Sequence, residues 1–213
     1  MKKIVVLISG QGTNLQALID ACHSGFLPAE IVAVISNKTE AFGLERAKKA
    51  GIPHHVFLRK HFDSHLAMDN CIADYIESVQ ADLIVLAGYM KILSADFTQR
   101  FAGRILNIHP SLLPKYPGLN TYQQALDAGE KEHGTSVHFV NEEVDGGAVV
   151  LQAKVPIFAD DEIADIEERV KAQELRLYPL VVKWFVEDRL KLVNGRAFLD
   201  NQCLPEHGYA TED

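Results

Sequence analysis

The stretch KIVVLISGQGTN at residues 3–14 decides the fold. Its first half is a continuous run of β-branched and aliphatic residues, which is typical of a parallel strand covered on both faces. Its second half, from Ser9 to Asn14, is a glycine-containing turn that leads into a helical pattern of apolar residues. The same alternation repeats around apolar runs at 31–35 and 82–87. We therefore predict a parallel front half built from right-handed βαβ units.

The second half of the chain predicts mixed rather than purely parallel strands. A strand at 104–108 is followed by a loop rich in proline and glycine at 111–120. Strands at 134–140 and 148–155 are joined by an acidic loop at 141–147. The predicted fold class is therefore α/β, with a Rossmann-like parallel front half continuing into a mixed sheet flanked by helices.

Capping residues and one proline predict the helices of the second half. A capping-box pattern at 121–124 predicts a short helix that ends at about residue 127. A long helix is predicted from residue 160 or 161 towards Trp184, bent or interrupted at Pro179. Two short strands are predicted in the tail, at about 190–193 and 196–199.

Length, charge and cysteine content limit the class of protein. The 213 residues fit one domain, and 21 basic against 29 acidic residues give a net charge of −8. That charge argues against a protein that grips long nucleic acid by its phosphates. Three cysteines without a CxxC pair exclude a disulfide framework and suit a reducing compartment. The apolar run from Ile4 to Ile8 is too short for a signal core or a membrane span, so we expect a cytoplasmic protein without membrane partners.

The turn GQGTNL at 10–15 is the first candidate site. It lacks the third glycine of a dinucleotide fingerprint, and no Gly-Lys-Ser/Thr follows it. Free amides at a helix N-terminus, with Thr13 and Asn14 as side-chain donors, suit a single phosphate group. The alternative is a tight turn that needs glycine only for its geometry. Both interpretations stay open on these residues.

Asn107 and His109 form the second candidate site. Positions i and i+2 of a strand share a face, and Pro110 places both residues at the C-terminal end of their strand. Ligand crevices of open α/β sheets lie at that end. An amide donor beside an imidazole can polarise a carbonyl oxygen and move a proton, as acyl or formyl transfer requires. The alternative is a hydrogen-bonded histidine without a chemical role.

The acidic loop EEVDGG at 142–147 is the third candidate site. Taken alone, its three acids and two glycines favour a solvated hairpin loop. A metal site is not predicted, because no histidine or cysteine spacing supports one. The remaining histidines, His133 and His138 among them, are predicted to be structural or exposed.

These residues together resemble the folate-dependent glycinamide ribonucleotide formyltransferases of purine synthesis. Asn-x-His before Pro-Ser-Leu-Leu-Pro, with a downstream Asp-Gly-Gly, is shared with other enzymes that use 10-formyltetrahydrofolate. The Ser-Gly-x-Gly-Thr-Asn-Leu-Gln stretch is similar to the phosphate loop of the ribonucleotide enzymes. The segments that carry the resemblance are ISGQGTNLQALIDA (8–21), SNKTEAFGLERAKKAGI (36–52), LAGYMKILS (86–94), ILNIHPSLLPKYPG (105–118), HGTSVHFVNEEVDGGAVVLQAKV (133–155) and QELRLYP (173–179).

The resemblance implies a formyltransferase-type fold and two small-molecule substrates, glycinamide ribonucleotide and 10-formyltetrahydrofolate. It implies a catalytic trio of Asn107, His109 and Asp145. It implies ribonucleotide contacts at Gly12, Thr13, Asn14, Lys171, Ala172, Gln173 and Glu174. It implies folate contacts at His65, Met90, Lys91, Ile92, Leu93, Asn107, Asn141, Glu142, Glu143, Val144 and Asp145. Two positions differ from the relatives, which carry arginine at 65 and glutamine at 171.

The implied reaction is direct transfer of a formyl group from a folate nitrogen to the glycinamide amine, through a tetrahedral intermediate and without a metal. A single domain, 1–213, would bind the ribonucleotide phosphate in its front half, about 1–100. Its back half, about 101–213, would carry the catalytic residues and much of the folate site. We expect no nucleic-acid partner, and a monomer or a weak homodimer.

Three alternatives to this function remain on the sequence. A formyltetrahydrofolate hydrolase shares the trio but is expected to carry an extra N-terminal regulatory domain. A methionyl-tRNA formyltransferase shares it too and is expected to carry a further C-terminal domain and a basic face. A non-catalytic nucleotide- or folate-binding module is the alternative from a different class, and the complete trio argues against it.

Overall fold

The computed structural model of the chain describes residues 1–209. It divides into two compact units, Met1–Asn107 and Ile108–Asp213, and the division falls inside one strand. None of the helices among the described residues is both long and apolar enough to cross a membrane.

The first unit alternates strands and helices, as the sequence predicts. Its strands are β1 (Lys2–Ile8), β2 (Ala29–Ser36), β3 (His54–Val56), β4 (Leu83–Leu86) and β5 (Ile105–His109), whose last two residues belong to the second unit. Its helices are α1 (Thr13–His23), α2 (Gly43–Lys49), α3 (His65–Ser78) and α4 (Ala95–Arg100).

Strands β1 to β5 are parallel, in the spatial order β3-β2-β1-β4-β5. Leu7 pairs with Leu86, and Leu86 pairs with Asn107, so the carboxyl ends of these strands lie along one edge. All five residues from Ile4 to Ile8 are fully buried. Each such aliphatic side chain contributes roughly 1.5–3 kcal/mol on burial, which explains the uninterrupted apolar run in the sequence.

The second unit contains an antiparallel pair and a small separate sheet. Its strands are β6 (Glu132–Phe139), β7 (Val149–Pro156), β8 (Leu190–Val193), β9 (Arg196–Leu199) and β10 (Gln202–Cys203), and its helices are α5 (Thr121–Asp127) and α6 (Ile163–Val186). Strands β6 and β7 are antiparallel, and β8, β9 and β10 form a three-stranded antiparallel sheet. In the larger sheet the strand order is β3-β2-β1-β4-β5-β6-β7, which confirms the predicted mixed sheet.

Helix α6 differs from the sequence-based prediction at its first residue and at Pro179. It begins at Ile163 behind a capping box formed by Glu162 and Asp165, rather than at 160 or 161. It also continues through Pro179 without interruption over 24 residues. The helix buries Val170, Tyr178 and neighbouring residues, so packing outweighs the one hydrogen bond that proline removes.

The predicted capping box at 121–124 is wrong. Asn120 is the N-cap of α5 and adopts a left-handed backbone with φ of 58°, without a side-chain cap. The Thr121 hydroxyl instead donates a hydrogen bond to the carbonyl oxygen of Pro110, at 2.6 Å. A tertiary contact has therefore replaced the local one.

Helix α4 and strand β10 are absent from the sequence-based prediction. Helix α4 spans only six residues, and its one clear signal is the cap, where the Ser94 hydroxyl accepts from the Phe97 amide at 3.2 Å. Elements this short leave little hydrophobic periodicity to recognise.

Candidate active site

The imidazole of His109 is buried and held on both sides. Its Nε2 lies 2.8 Å from the carbonyl oxygen of Tyr116, and its Nδ1 lies 3.5 Å from Oδ2 of Asp145. A carbonyl oxygen can only accept, so Nε2 carries a proton and donates it. A ring protonated on both nitrogens would donate to both oxygens. The geometry therefore leaves Nδ1 facing the Asp145 carboxylate.

Asp145 is placed by the loops on either side of it. Its Oδ2 accepts a hydrogen bond from the Gly118 amide at 2.8 Å, and its backbone is left-handed with φ of 53°. The loop closes at Gly147, where a Cβ would collide with the carbonyl oxygen of Phe139. The loop therefore aims the Asp145 carboxylate at His109, and the solvated-hairpin interpretation is wrong for this residue.

His138 is a second imidazole beside Asp145. Its Nε2 lies 3.8 Å from Oδ1 of Asp145, and its Nδ1 donates to the carbonyl oxygen of Phe139 at 2.8 Å. Burial lowers the pKa of His138, although the Asp145 charge acts in the opposite direction. Grouping His138 with the structural or exposed histidines therefore missed its proximity to Asp145. Its position at the end of β6, seven residues before Asp145, is the only signal in the sequence.

Asn107 lies two positions before His109 on β5, where it is partly buried. Positions i and i+2 of a strand face the same side, so Asn107 and His109 share one face of β5, and their joint chemical role stays a prediction.

Glu174 lies beside the backbone of His109. The Thr135 hydroxyl is 3.0 Å from the carbonyl oxygen of His109 and 3.3 Å from Oε1 of Glu174. Glu174 is 9% exposed although it is acidic. Lys171, Ala172 and Gln173 precede it on α6, and Lys171 forms an ion pair with Glu167 at 2.8 Å.

The glycine turn lies at the N-terminus of α1. Gly12 precedes the helix with a left-handed backbone, and Thr13 is its first residue and is exposed. Arg46 of α2 supports the turn, because its Nε donates to the carbonyl oxygen of Gln11 at 2.8 Å. Sequence reasoning did not single out Arg46. A positive side chain therefore lies next to amides suited to an anion.

The residues predicted to contact folate differ in their exposure. Met90 and Ile92 are 61% and 66% exposed, while Leu93 is buried. In the second unit Val144 is exposed, and the Asn141 side chain accepts from the Glu143 amide at 2.9 Å. Glu142 is also exposed. His65 is partly exposed at the start of α3, with its Nε2 3.4 Å from Oδ1 of Asp69.

A cavity of about 560 Å³ adjoins the acidic loop in the second unit. Residues 145–149, 195–197 and 203–206 line it together with Leu113 and Pro114. Asp145 is the predicted site residue that lines this cavity. Among residues 1–209, no cluster of three or more histidine, cysteine, aspartate or glutamate side chains could hold a metal ion.

Residues 2–182 match the family model described as formyl transferase, and the chain belongs to this family of one-carbon group transferases. Two curated relatives are phosphoribosylglycinamide formyltransferases. That of Haemophilus influenzae is 68% identical over 212 residues, 100% of each chain. That of Escherichia coli is 56% identical over 210 residues, 99% of each chain. A solved structure of phosphoribosylglycinamide formyltransferase from Coxiella burnetii, in complex with CHES, matches 99% of each chain with a TM-score of 0.95 and 46% identity. The predicted fold class and family are confirmed.

Proposed function

We propose that this chain transfers a formyl group from 10-formyltetrahydrofolate to the amine of 5-phosphoribosylglycinamide, a step of purine biosynthesis. Full-length relatives at 68% and 56% identity are named for this activity. The observation that carries the proposal in the molecule itself is the buried His109–Asp145 pair, 3.5 Å apart, with Asn107 on the same strand.

The ribonucleotide phosphate would bind to the amides of Gly12, Thr13 and Asn14. Helix α1 has 11 residues, long enough for its N-terminus to carry partial positive charge, and Arg46 adds a full charge beside it. Glu174 and its neighbours Lys171, Ala172 and Gln173 would contact the ribonucleotide further along.

In the reaction, the glycinamide nitrogen would attack the formyl carbon to give a tetrahedral intermediate. Asn107 would donate a hydrogen bond to the developing oxyanion. His109 would pass the proton released by the amine to the leaving folate nitrogen, as the bond from that nitrogen to carbon breaks. Asp145 would hold the imidazole in orientation and stabilise its protonated form.

The folate would contact His65, Met90, Lys91, Ile92 and Leu93. It would also contact Asn107 and residues 141–145. Met90 and Ile92 are exposed and would supply apolar surface for its ring system. We further propose that the chain acts in the cytoplasm as a single domain and as a monomer or weak homodimer, without nucleic-acid or membrane partners.

An assay of folate product tests this function. Purified chain is given 10-formyltetrahydrofolate with and without glycinamide ribonucleotide, and tetrahydrofolate and formylated ribonucleotide are both quantified. Equal amounts of the two products, formed only when the acceptor is present, are expected. Folate product without acceptor would favour the hydrolase, and binding without turnover would favour a non-catalytic module.

A further inference from the structure

The chain between β4 and α4 has neither helix nor strand to hold it in place. It includes Met90–Ser94, which contains four of the proposed folate contacts. Met90 and Ile92 project from it with most of their surface exposed. A segment of this kind needs other contacts to fix it before a ligand arrives, because ordering it on binding would reduce affinity.

Two buried side chains hold the two ends of this segment. The Met90 amide donates to the hydroxyl of Ser9 at 2.8 Å, and the Ser94 amide donates to Oδ2 of Asp69 at 2.7 Å. Ser9 is 5% exposed and Asp69 is fully buried. The Ser9 hydroxyl is itself oriented, because it lies 2.5 Å from Oδ1 of Asn37 and donates there.

Asp69 is an unusual residue for the buried face of a helix. Its Oδ1 lies 3.4 Å from Nε2 of His65 but accepts no hydrogen bond from the described residues. The hydroxyl of Tyr89 is likewise buried without a hydrogen bond. Burial and the Asp69 charge both raise the pKa of Tyr89. A leucine at position 69 would avoid the cost of burying a carboxylate. The Ser94 amide, which donates to Oδ2, and the His65 imidazole near Oδ1 therefore account for a carboxylate at this position.

We infer that Ser9 and Asp69 are positioning residues for folate binding, which fix the two ends of Met90–Ser94 so that Met90 to Leu93 are preorganised. This inference rests on the proposed function of those four residues. Ser9 also begins the turn that leads to the proposed phosphate loop at residues 12–14. The same residue therefore contacts Met90 of the folate segment through its side chain and adjoins the ribonucleotide loop through its backbone.

The test compares binding of folic acid, by titration calorimetry, between the unaltered chain and Asp69→Ala, Asp69→Asn and Ser9→Ala. Asp69→Ala and Ser9→Ala leave a buried amide unsatisfied and should each weaken binding roughly tenfold. Asp69→Asn keeps an oxygen that can accept and should stay within about threefold. Asp74→Ala and Asp74→Asn change an exposed acid on the same helix, and Ser78→Ala an exposed hydroxyl; these controls should bind normally.

Two further measurements separate positioning from general damage. Asp69→Ala should leave the affinity for glycinamide ribonucleotide unchanged, and hydrogen exchange at the Ser94 amide should become faster. Equal loss of both ligands, or an Asp69→Asn variant as weak as Asp69→Ala, would overturn the inference. Normal folate binding by Asp69→Ala would overturn it while leaving the proposed function intact. Failure of the unaltered chain both to bind folic acid and to form product from 10-formyltetrahydrofolate would overturn the inference and the proposed function together.

Discussion

Gly12 and Gly43 lie in backbone contact: a Cβ placed on Gly12 would be 2.7 Å from the Cα of Gly43. The Gly43 amide also donates to the carbonyl oxygen of Gly10 at 3.0 Å. Gly12 also has a left-handed backbone with φ of 73°. The close approach of Gly43 and this backbone conformation each require glycine here, independently of any ligand. The turn interpretation and the phosphate interpretation of this loop are compatible, because the same close packing shapes the amides.

Gly12→Ala should therefore weaken ribonucleotide binding by moving the loop, not by blocking the phosphate directly. We expect the KM for glycinamide ribonucleotide to rise roughly tenfold, with a loss of about 1 kcal/mol or more in unfolding free energy. Gly10→Ala is the matched control, because no atom lies within 4 Å of its Cβ position. Steady-state kinetics and urea denaturation measure both effects. An unchanged KM in Gly12→Ala would contradict the proposal that this loop binds the ribonucleotide phosphate.

Asp145→Asn should lower turnover while leaving the loop in place. The amide can still accept from Gly118, but it cannot stabilise a protonated His109. We expect the turnover number to fall on the order of 10²–10⁴-fold with ribonucleotide affinity unchanged. Asp127→Asn makes the same chemical change at an exposed position and serves as the control. Turnover close to normal in a folded Asp145→Asn protein would return Asp145 to a structural role.

Folding stability should decrease as the pH falls below about 6.5, the ordinary pKa of histidine. Burial lowers the pKa of both His133 and His138 in the folded chain. Between the folded and unfolded pKa values the unfolded chain binds more protons, so each group removes up to about 1.4 kcal/mol per pH unit there.

Urea denaturation at pH 7.5 and pH 5.5 measures this loss. His133→Gln should reduce the difference between the two, since glutamine does not titrate. Acid groups with lowered pKa values, such as Asp161 at about 2, lose their contribution only at lower pH. Equal stability at both pH values would contradict the assignment of neutral, buried histidines.

Lys171→Gln tests whether the Lys171 ammonium group interacts with the ribonucleotide phosphate as well as with Glu167. Glu167 precedes Lys171 by four residues, the favourable direction for an ion pair on a helix, and that pair is exposed. If Lys171 also attracts the phosphate, its replacement should raise the KM for the ribonucleotide a few-fold and flatten the dependence on ionic strength. Glu167→Gln is the control, and it should leave or lower that KM. An unchanged KM and an unchanged salt dependence in Lys171→Gln would mean that Lys171 interacts with Glu167 and not with the phosphate.

The parallel half of the fold was predictable because its signals are local. The run from Ile4 to Ile8 is buried on both sides, and glycine marks the turn that follows it. The ends and the continuity of the helices in the second half were less predictable, because contacts between residues distant in the sequence decide them. Thr121 bonds to Pro110 instead of capping its helix, and Pro179 is accommodated by the packing of α6.

The candidate site shows the same division. Asn107 and His109 share a strand, so spacing alone could pair them. Asp145 comes to His109 through a loop that Gly118 and Gly147 shape, and no periodicity encodes that contact. Composition of the loop therefore pointed to a solvated hairpin, and only the resemblance to a family singled out Asp145. His138 and Asp69 gave still weaker signals.

The left-handed backbone of Asp145 bears on how this protein could be evolved in the laboratory. Glycine and asparagine tolerate that conformation at least as well as aspartate, so neither would be penalised by backbone geometry. Asparagine would also keep the Gly118 contact. Selection for heat resistance alone would therefore not act against glycine or asparagine at position 145. A library of variants screened only for stability should contain Asp145 substitutions that fold but lack activity.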